Sequence, residues 1–359
     1  MLGKLGTEFE NYRWFHERAL STPKPKTLVF STEFYEGGRK RNIGGFADRL
    51  KGLISSAFLA MLTDRLFLAD WSSPTRLDSH FNCPKINLLG KLEAADPSPL
   101  IVDAVDYEGF YRFLSDLQKS GEEADPFDNH SAVHIHTNIQ SIGFFLRCSS
   151  LLERNSLGRS LTKMLGTHTP EAVEQAIIPL LFNYLLSYRP PVSLCALWND
   201  FMERRVSHET IGVHFRSGGD GAWPDPELDH LDNLPTVIDA LDMIAAEHFH
   251  GQRPQVYVAS DSLTFRTRFT DAISNRYSVI CYQGSLYHYE RSGNEFTPSG
   301  SFEQSKGDGG IDFAVFEFFC FSRCDFILHG AGDFAHMAAV LGNIPSAHYK
   351  IERRNAAGP

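Results

Sequence analysis

The sequence predicts an α/β protein built as two Rossmann-like halves facing one another across a cleft. Three observations carry that expectation. The chain has 359 residues, too many for one ordinary hydrophobic core. Its second half alternates short apolar runs with helical periodicity, the pattern of a parallel sheet covered by helices on both faces. Arg189-Pro-Pro191 breaks that pattern most sharply, which sets the expected domains at 1–190 and 191–359.

From Thr27 onward the elements follow in order. A strand over 27–31, a long loop, a helix over about 46–63 and a strand over 66–70 make a βαβ unit. Residues 73–98 are rich in Pro and Asn and irregular. A short strand at 100–102 and a helix over 107–119 follow, then an acidic turn-like stretch and a strand at 132–135. Thr169-Pro-Glu171 opens a long helix, because Thr169 can accept from orphan amides and Pro170 loses no bond at the first helical position. Pro179 is expected to kink it. After a short helix ending near Val206, strands are expected at 211–215, 255–259, 277–282, 325–329 and 346–350. Helices at 234–249, 262–273, 311–323 and 333–342 separate them, with a loop reaching to about 309. No internal repeat or low-complexity tract is present.

Composition narrows the class of partner. Apolar content of 42% and aromatic content of 12% suffice for two cores. A formal charge of −10 makes nucleic acid and anionic membranes poor partners, so any phosphate site must be a local basic patch. The one concentrated basic run is Gly37-Gly-Arg-Lys-Arg41. No stretch has the apolar length to cross a bilayer and Met1-Leu-Gly-Lys-Leu-Gly-Thr-Glu8 is not a signal peptide, so a soluble chain without membrane insertion is expected. The six cysteines, at 83, 148, 195, 281, 320 and 324, contain no Cys-x-x-Cys; buried reduced thiols are expected. The oligomeric state is left open.

Five segments carry chemistry. Ile211-Gly-Val-His-Phe-Arg-Ser-Gly-Gly-Asp220 delivers His214 and Arg216 to one face at the C-terminal end of a strand, where ligands bind in open α/β sheets. A permanent cation beside glycine amides suits a phosphate, and a surface ion pair is the alternative use of that arginine. Gln255-Val-Tyr-Val-Ala-Ser-Asp-Ser262 ends a strand at the start of a helix, so Asp261 or Ser262 can cap the helix, hold a nucleoside, or do both. Glu317, set among Phe313, Phe316, Phe318, Phe319 and Phe321, needs a ligand or an ion pair with Arg323 or another buried arginine. In Phe326-Ile-Leu-His-Gly-Ala-Gly-Asp-Phe334 the Gly330 and Gly332 amides can cradle a phosphate, with Asp333 as helix N-cap. Gly44-Gly-Phe-Ala-Asp48 opens a helix, where Asp48 either complements the dipole or binds sugar hydroxyls. His134 and His136 share a strand face without a third ligand, so no metal site is expected.

Taken together, these segments resemble the α1,6/α1,2/protein-O-fucosyltransferase superfamily, and most of all the bacterial nodulation-type α1,6-fucosyltransferases. The resemblance rests on His214-Phe-Arg216-Ser-Gly-Gly, on Ser260-Asp-Ser262, on Glu317 through Asp333, on Gly45-Phe-Ala-Asp48 and on Asp70-Trp71. It implies a GT-B-like fold and an inverting, metal-independent transfer of fucose from GDP-fucose to a glycan hydroxyl, α1,6 to N-acetylglucosamine being one such acceptor. It implies that no cofactor or metal is needed and that the first half is the acceptor side, with Gly44, Gly45 and Asp48 in the cleft. The second half would bind the donor through His214, Arg216, Ser260, Asp261, Ser262, Glu317, Gly332 and Asp333. Arg216 would grip the pyrophosphate as it leaves. Asp220 first, and Asp225 second, are the candidates for the base that takes the acceptor proton; Glu227, Asp229 and Asp232 complete an acidic run that otherwise reads as solvated. A bacterial chain complete as given would be cytoplasmic, and one stripped of an anchor would belong to the Golgi or ER lumen.

The departures keep rival readings in play. Ser217 replaces a second arginine found in many relatives, and Gly332-Asp333 stands where they carry Ser or Thr. A GT-B transferase with another nucleotide sugar and a catalytically inactive nucleotide-sugar or glycan binding protein are therefore the alternatives. A metal-dependent transferase of the other common fold would need Asp-x-Asp after an apolar run, which 225–232 lacks.

Overall fold

The structure, a computed structural model, describes residues 2–36, 39–42, 44–72, 75–90, 99–105, 107–119, 129–217, 229–250, 252–283 and 309–350. These fall into two compact units, the first ending at Arg189 and the second beginning at Pro190. Asp220, Asp225 and Glu227 lie outside the described residues.

In chain order the strands of the first unit are β1 (Thr27–Ser31), β2 (Glu33–Glu36), β3 (Arg39–Asn42), β4 (Leu66–Asp70), β5 (Phe81–Asn82), β6 (Leu100–Ala104), β7 (Ala132–Thr137) and β8 (Ser187–Tyr188). The main sheet has the order β4-β1-β7-β6, with every neighbouring pair parallel. Helix Phe46–Leu62 buries every residue except Asp48 and Lys51, including the polar Arg49, Ser55 and Ser56. Gly52 lets it approach β7, since a Cβ there would sit 1.9 Å from the Thr137 carbonyl oxygen. The loop expected after β1 is instead the antiparallel β2–β3 hairpin, which carries the basic run. Helix Pro170–Leu185 is capped by Thr169, whose hydroxyl accepts from the Ala172 amide, and it runs on through Pro179.

Several elements were not anticipated, among them helices Ser156–Leu165 and Leu2–Leu20. Helix Leu2–Leu20 covers β4, an edge strand of the main sheet, with side chains in place of a further strand. Tyr12 Oη accepts from the Phe67 amide (3.1 Å) and donates to the Arg65 carbonyl (2.7 Å), while His16 Nε2 bonds the Phe67 carbonyl (2.9 Å). The edge groups at Arg65 and Phe67 are thus satisfied from the helix, while the Ala69 amide donates to the Leu88 carbonyl.

The second unit contains β9 (Thr210–Phe215), β10 (Gln255–Ser260), β11 (Ser278–Ile280), β12 (Phe326–His329) and β13 (Ser346–His348). They form one sheet in the order β11-β10-β9-β12-β13, parallel at each pairing. Read in chain order this is third, second, first, fourth, fifth. The direction of winding reverses between β9 and β12, which makes their C-terminal ends the topological switch point. Ile211, Val213 and Phe215 face a core with Val237, Leu241, Phe265 and Phe269, and Phe215 stacks on Phe265 at 3.9 Å. On the opposite face Gly212 makes room for helix Gly309–Phe321, because a Cβ there would meet the Phe321 ring at 2.6 Å. Each strand and helix expected in this half is present within a few residues of its expected ends.

All six cysteines are free, and Cys324 Sγ lies 3.4 Å from the Cys320 carbonyl oxygen. Only Cys148, Cys320 and Cys324 are buried; Cys83, Cys195 and Cys281 are half-buried, which corrects the expectation of six buried thiols. Among the described residues no helix is long and apolar enough to cross a membrane.

Candidate functional site

The switch point of the second unit gathers most of the residues singled out from the sequence. β9 ends at Phe215 and hands the chain to Arg216; β12 ends at His329 and hands it to the Gly330-Ala-Gly332 turn, which opens helix Asp333–Gly342. The Arg216 side chain lies over that turn. A Cβ on Gly332 would stand 2.9 Å from Arg216 Nη1 and 3.4 Å from Cδ. Gly332 has φ of 85°, in the region only glycine adopts readily. Gly332→Ala is therefore expected to lower the free energy of unfolding in urea by about 1–2 kcal/mol and to push the guanidinium aside.

His214 and Arg216 do share a side of the strand, but they differ in kind. The His214 ring stacks on Phe334 (5.3 Å) and meets Phe321 edge-on (5.7 Å), and its Nδ1 is buried without a hydrogen-bond partner. Burial, with His329, Arg216 and Arg266 nearby, pushes its pKa down to about 3, so the imidazole is neutral at physiological pH. Arg216 is thus the cation of the pair.

Asp229 is the group the sequence did not reveal. Expected in a solvated acidic run, it is 2% exposed and fastens the site together. Its Oδ2 accepts from the amides of Arg216 (3.3 Å) and Ala331 (3.0 Å), and its own amide donates to the Arg216 carbonyl (2.7 Å). Oδ1 accepts from Tyr349 Oη at 2.6 Å and pairs with Lys350 Nζ at 3.6 Å. The carboxylate occupies the space a side chain at position 330 would need, since a Cβ on Gly330 would fall 1.9 Å from Oδ2. One signal was available: two glycines at 330 and 332 mark a close approach by some other group.

Several expected ligand groups are already engaged. The Gly330 amide donates to the His214 carbonyl and the Ala331 amide to Asp229, so the phosphate cradle expected from Gly330 does not form, which leaves Gly332 and the start of the helix. Asp333 is the first residue of that helix and not its N-cap, a place held by Gly332. Ser260 and Ser262 are 2% and 0% exposed; Ser260 Oγ accepts from the Ser262 amide, and Ser262 Oγ caps helix Leu263–Ile273 through the Phe265 amide (2.8 Å). Ser262 thus takes the capping role the sequence offered it, and both hydroxyls are engaged within the turn. Asp261 remains half-buried, with Oδ1 accepting from the Ser217 amide at 2.7 Å.

Glu317 finds its partner in Arg266, not in Arg323, which is exposed. Arg266 Nη2 meets Glu317 Oε1 at 2.8 Å, Nε donates to the Ser260 carbonyl and Nη1 to the Tyr282 carbonyl. Burial pushes Glu317 up to about 7 while Arg266 pulls it back. With 8% exposure this carboxylate ties helix Gly309–Phe321 to helix Leu263–Ile273 through the ion pair with a buried arginine that the sequence offered as the alternative to a ligand.

The remaining candidates belong to the first unit. Asp48 closes a capping box: Oδ2 accepts from the Gly45 amide (3.0 Å) and Oδ1 pairs with Lys51 (3.1 Å). Gly44 has φ of 33° and bends the chain into that cap. The dipole and capping use of Asp48 is therefore the one observed. Among the described residues no group of three His, Cys, Asp or Glu side chains is arranged to hold a metal ion.

No protein-family model and no curated protein sequence matches the chain. Solved structures do. A variant of the FUT1 protein of Arabidopsis thaliana in complex with GDP superposes with a TM-score of 0.60 at 16% identity, covering 94% of this chain and 78% of that one. The NodZ alpha-1,6-fucosyltransferase soaked with GDP-fucose superposes with a TM-score of 0.51 at 16% identity, covering 91% and 96%. The chain thus shares its fold with these two proteins: it is α/β and GT-B-like, made of two Rossmann-like units.

Proposed function

We propose that the chain is an inverting, metal-independent glycosyltransferase that moves fucose from GDP-fucose to a hydroxyl of a glycan or glycoconjugate. One observation carries the reading: a guanidinium laid over the glycine at the start of a helix, at the switch point of a parallel sheet. Helix start and arginine both favour an anion, and a forked cation matches a diphosphate better than a carboxylate alone requires. The fold shared with a GDP complex and with a fucosyltransferase soaked with GDP-fucose supports the choice of donor.

In this reading the acceptor oxygen attacks the anomeric carbon of fucose while the bond from that carbon to the diphosphate oxygen breaks. The electron pair leaves with GDP, and Arg216 stabilises the growing charge in place of a divalent cation. The acceptor proton passes to a carboxylate, for which Asp220 and then Asp225 stand as candidates. His214, neutral and held by Phe334, adds no charge to the donor pocket. The first unit takes the acceptor.

Ser217 and Asp333 favour a second reading with a different nucleotide sugar, since the first removes a cation and the second adds an acid near the diphosphate. Calorimetry with GDP, UDP and ADP separates the two. GDP is expected to bind at least about tenfold more tightly than either, a difference of about 1.4 kcal/mol. Preference for UDP or ADP would refute the fucose donor. Transfer from GDP-fucose is expected to persist in excess chelator, and tight GDP binding with neither transfer nor donor hydrolysis would instead identify a binding protein.

A further inference from the structure

Asp229 does more than fill a gap between two strand ends. Its two oxygens face different parts of the fold: Oδ2 holds the amides of Arg216 and Ala331, while Oδ1 holds Tyr349 and Lys350, just beyond β13. The reciprocal bond from its own amide to the Arg216 carbonyl holds that residue through both of the peptide units that flank its Cα. Gly330 lacks a side chain where the carboxylate sits. Arg216 and the turn beneath its guanidinium are therefore anchored to one buried group, and neither can shift without breaking a bond to it.

We propose that Asp229 is a positioning residue for the diphosphate site: it holds the backbone of Arg216 and the Gly330–Gly332 turn in register, so that the guanidinium stays above Gly332. The assignment rests on the functional reading above, because it presumes that a diphosphate is what Arg216 meets. Asp229 touches no substrate and acts only through the arginine. Pre-set geometry of this kind matters because a misplacement of about 1 Å can cost on the order of 100-fold in rate.

The test uses the full chain in a double-mutant cycle. Asp229→Asn keeps the shape and one accepting oxygen, so the fold should survive. Tyr349 can turn its hydroxyl to accept from the new amide, but the charge facing Lys350 is lost. Tyr349→Phe is the milder companion, releasing only Oδ1. Asp229→Ala, which frees both amides, is expected to lower kcat for transfer from GDP-fucose more than it raises KM, by about 10- to 100-fold, while Asp229→Asn and Tyr349→Phe, which leave an oxygen on those amides, should fall between it and the unmodified chain. All three are also expected to weaken binding of GDP, Asp229→Ala the most, while leaving GMP nearly unchanged. A merely structural group would lower the melting temperature without altering the ratio of GDP to GMP affinity.

The decisive reading comes in the Arg216→Ala background, followed by binding so that lost turnover does not blind it. There Asp229→Ala should have no further effect on that ratio, because the group through which it acts is gone. Equal losses of GDP affinity with and without Arg216 would overturn the positioning role. Failure of the functional reading looks different: the unmodified chain would then prefer UDP or ADP, and the cycle would be run with that nucleotide and its monophosphate. Binding of none of the three would overturn both.

Discussion

Arg216→Ala is expected to lower kcat for fucosyl transfer by about 10²- to 10³-fold, the range found when one preorganised donor to a developing negative charge is removed. The fold should be unaffected. The guanidinium lies half-exposed over a turn and not in the core, so urea midpoints and the melting temperature should stay near those of the unmodified chain. Arg216→Lys should fall between the two, since an ammonium supplies the charge without the two-pronged geometry. Because the interaction strengthens as the diphosphate departs, kcat should suffer more than KM. Near-normal turnover of Arg216→Ala would remove the basis of the proposed function.

Arg266→Ala is expected to be the most damaging single change to stability, about 3–5 kcal/mol, because it leaves the Glu317 carboxylate buried among phenylalanines with its cation gone. Two carbonyl oxygens, of Ser260 on β10 and of Tyr282 just past β11, and one carboxylate oxygen lose their donor at once. The loss should depend on pH with a definite sign. Burial holds Glu317 up to about 7 in the folded chain against an ordinary value of 4.5, so the folded state binds that proton more tightly. Its favourable contribution is full below about pH 4.5 and declines as pH rises through about 7. Without Arg266 the carboxyl rises further, and the variant should be least impaired near about pH 5 and progressively worse toward about pH 9. Urea titrations across that range would show it, and Arg266→Ala combined with Glu317→Leu should recover much of the loss. A constant deficit at every pH would mean that lost packing of the arginine, not the orphaned acid, dominates.

The second unit was largely legible in the sequence because alternation, strand length and helix caps all point the same way there, from β9 to β13. Arg216 was legible for the same reason: two-residue periodicity places it beside His214 at a strand end. Glu317 announced that it needed a partner, yet nothing in one dimension chooses Arg266 over Arg323. Asp229 was misread because a run of acids usually faces water, and its burial depends on Tyr349, Lys350 and Ala331, which are distant in the chain. Ser262 was legible as a helix cap, while the bond from its amide to Ser260 Oγ, which closes the turn, was not. Helix Leu2–Leu20 was missed although Leu5, Phe9, Tyr12, His16 and Ala19 recur at helical spacing and are all buried. The polar members of that stripe, Tyr12 and His16, disguised it.

That stripe has an effect beyond packing. A sheet margin sealed by a phenol and an imidazole is sealed by two reversible latches, not by the continuous ladder that a fifth strand would provide. When the amino-terminal helix lifts away, β4 presents a bare acceptor–donor–acceptor row at Arg65 and Phe67. Such a row pairs with any extended segment, so loosening helix Leu2–Leu20 would open this margin without unfolding the sheet.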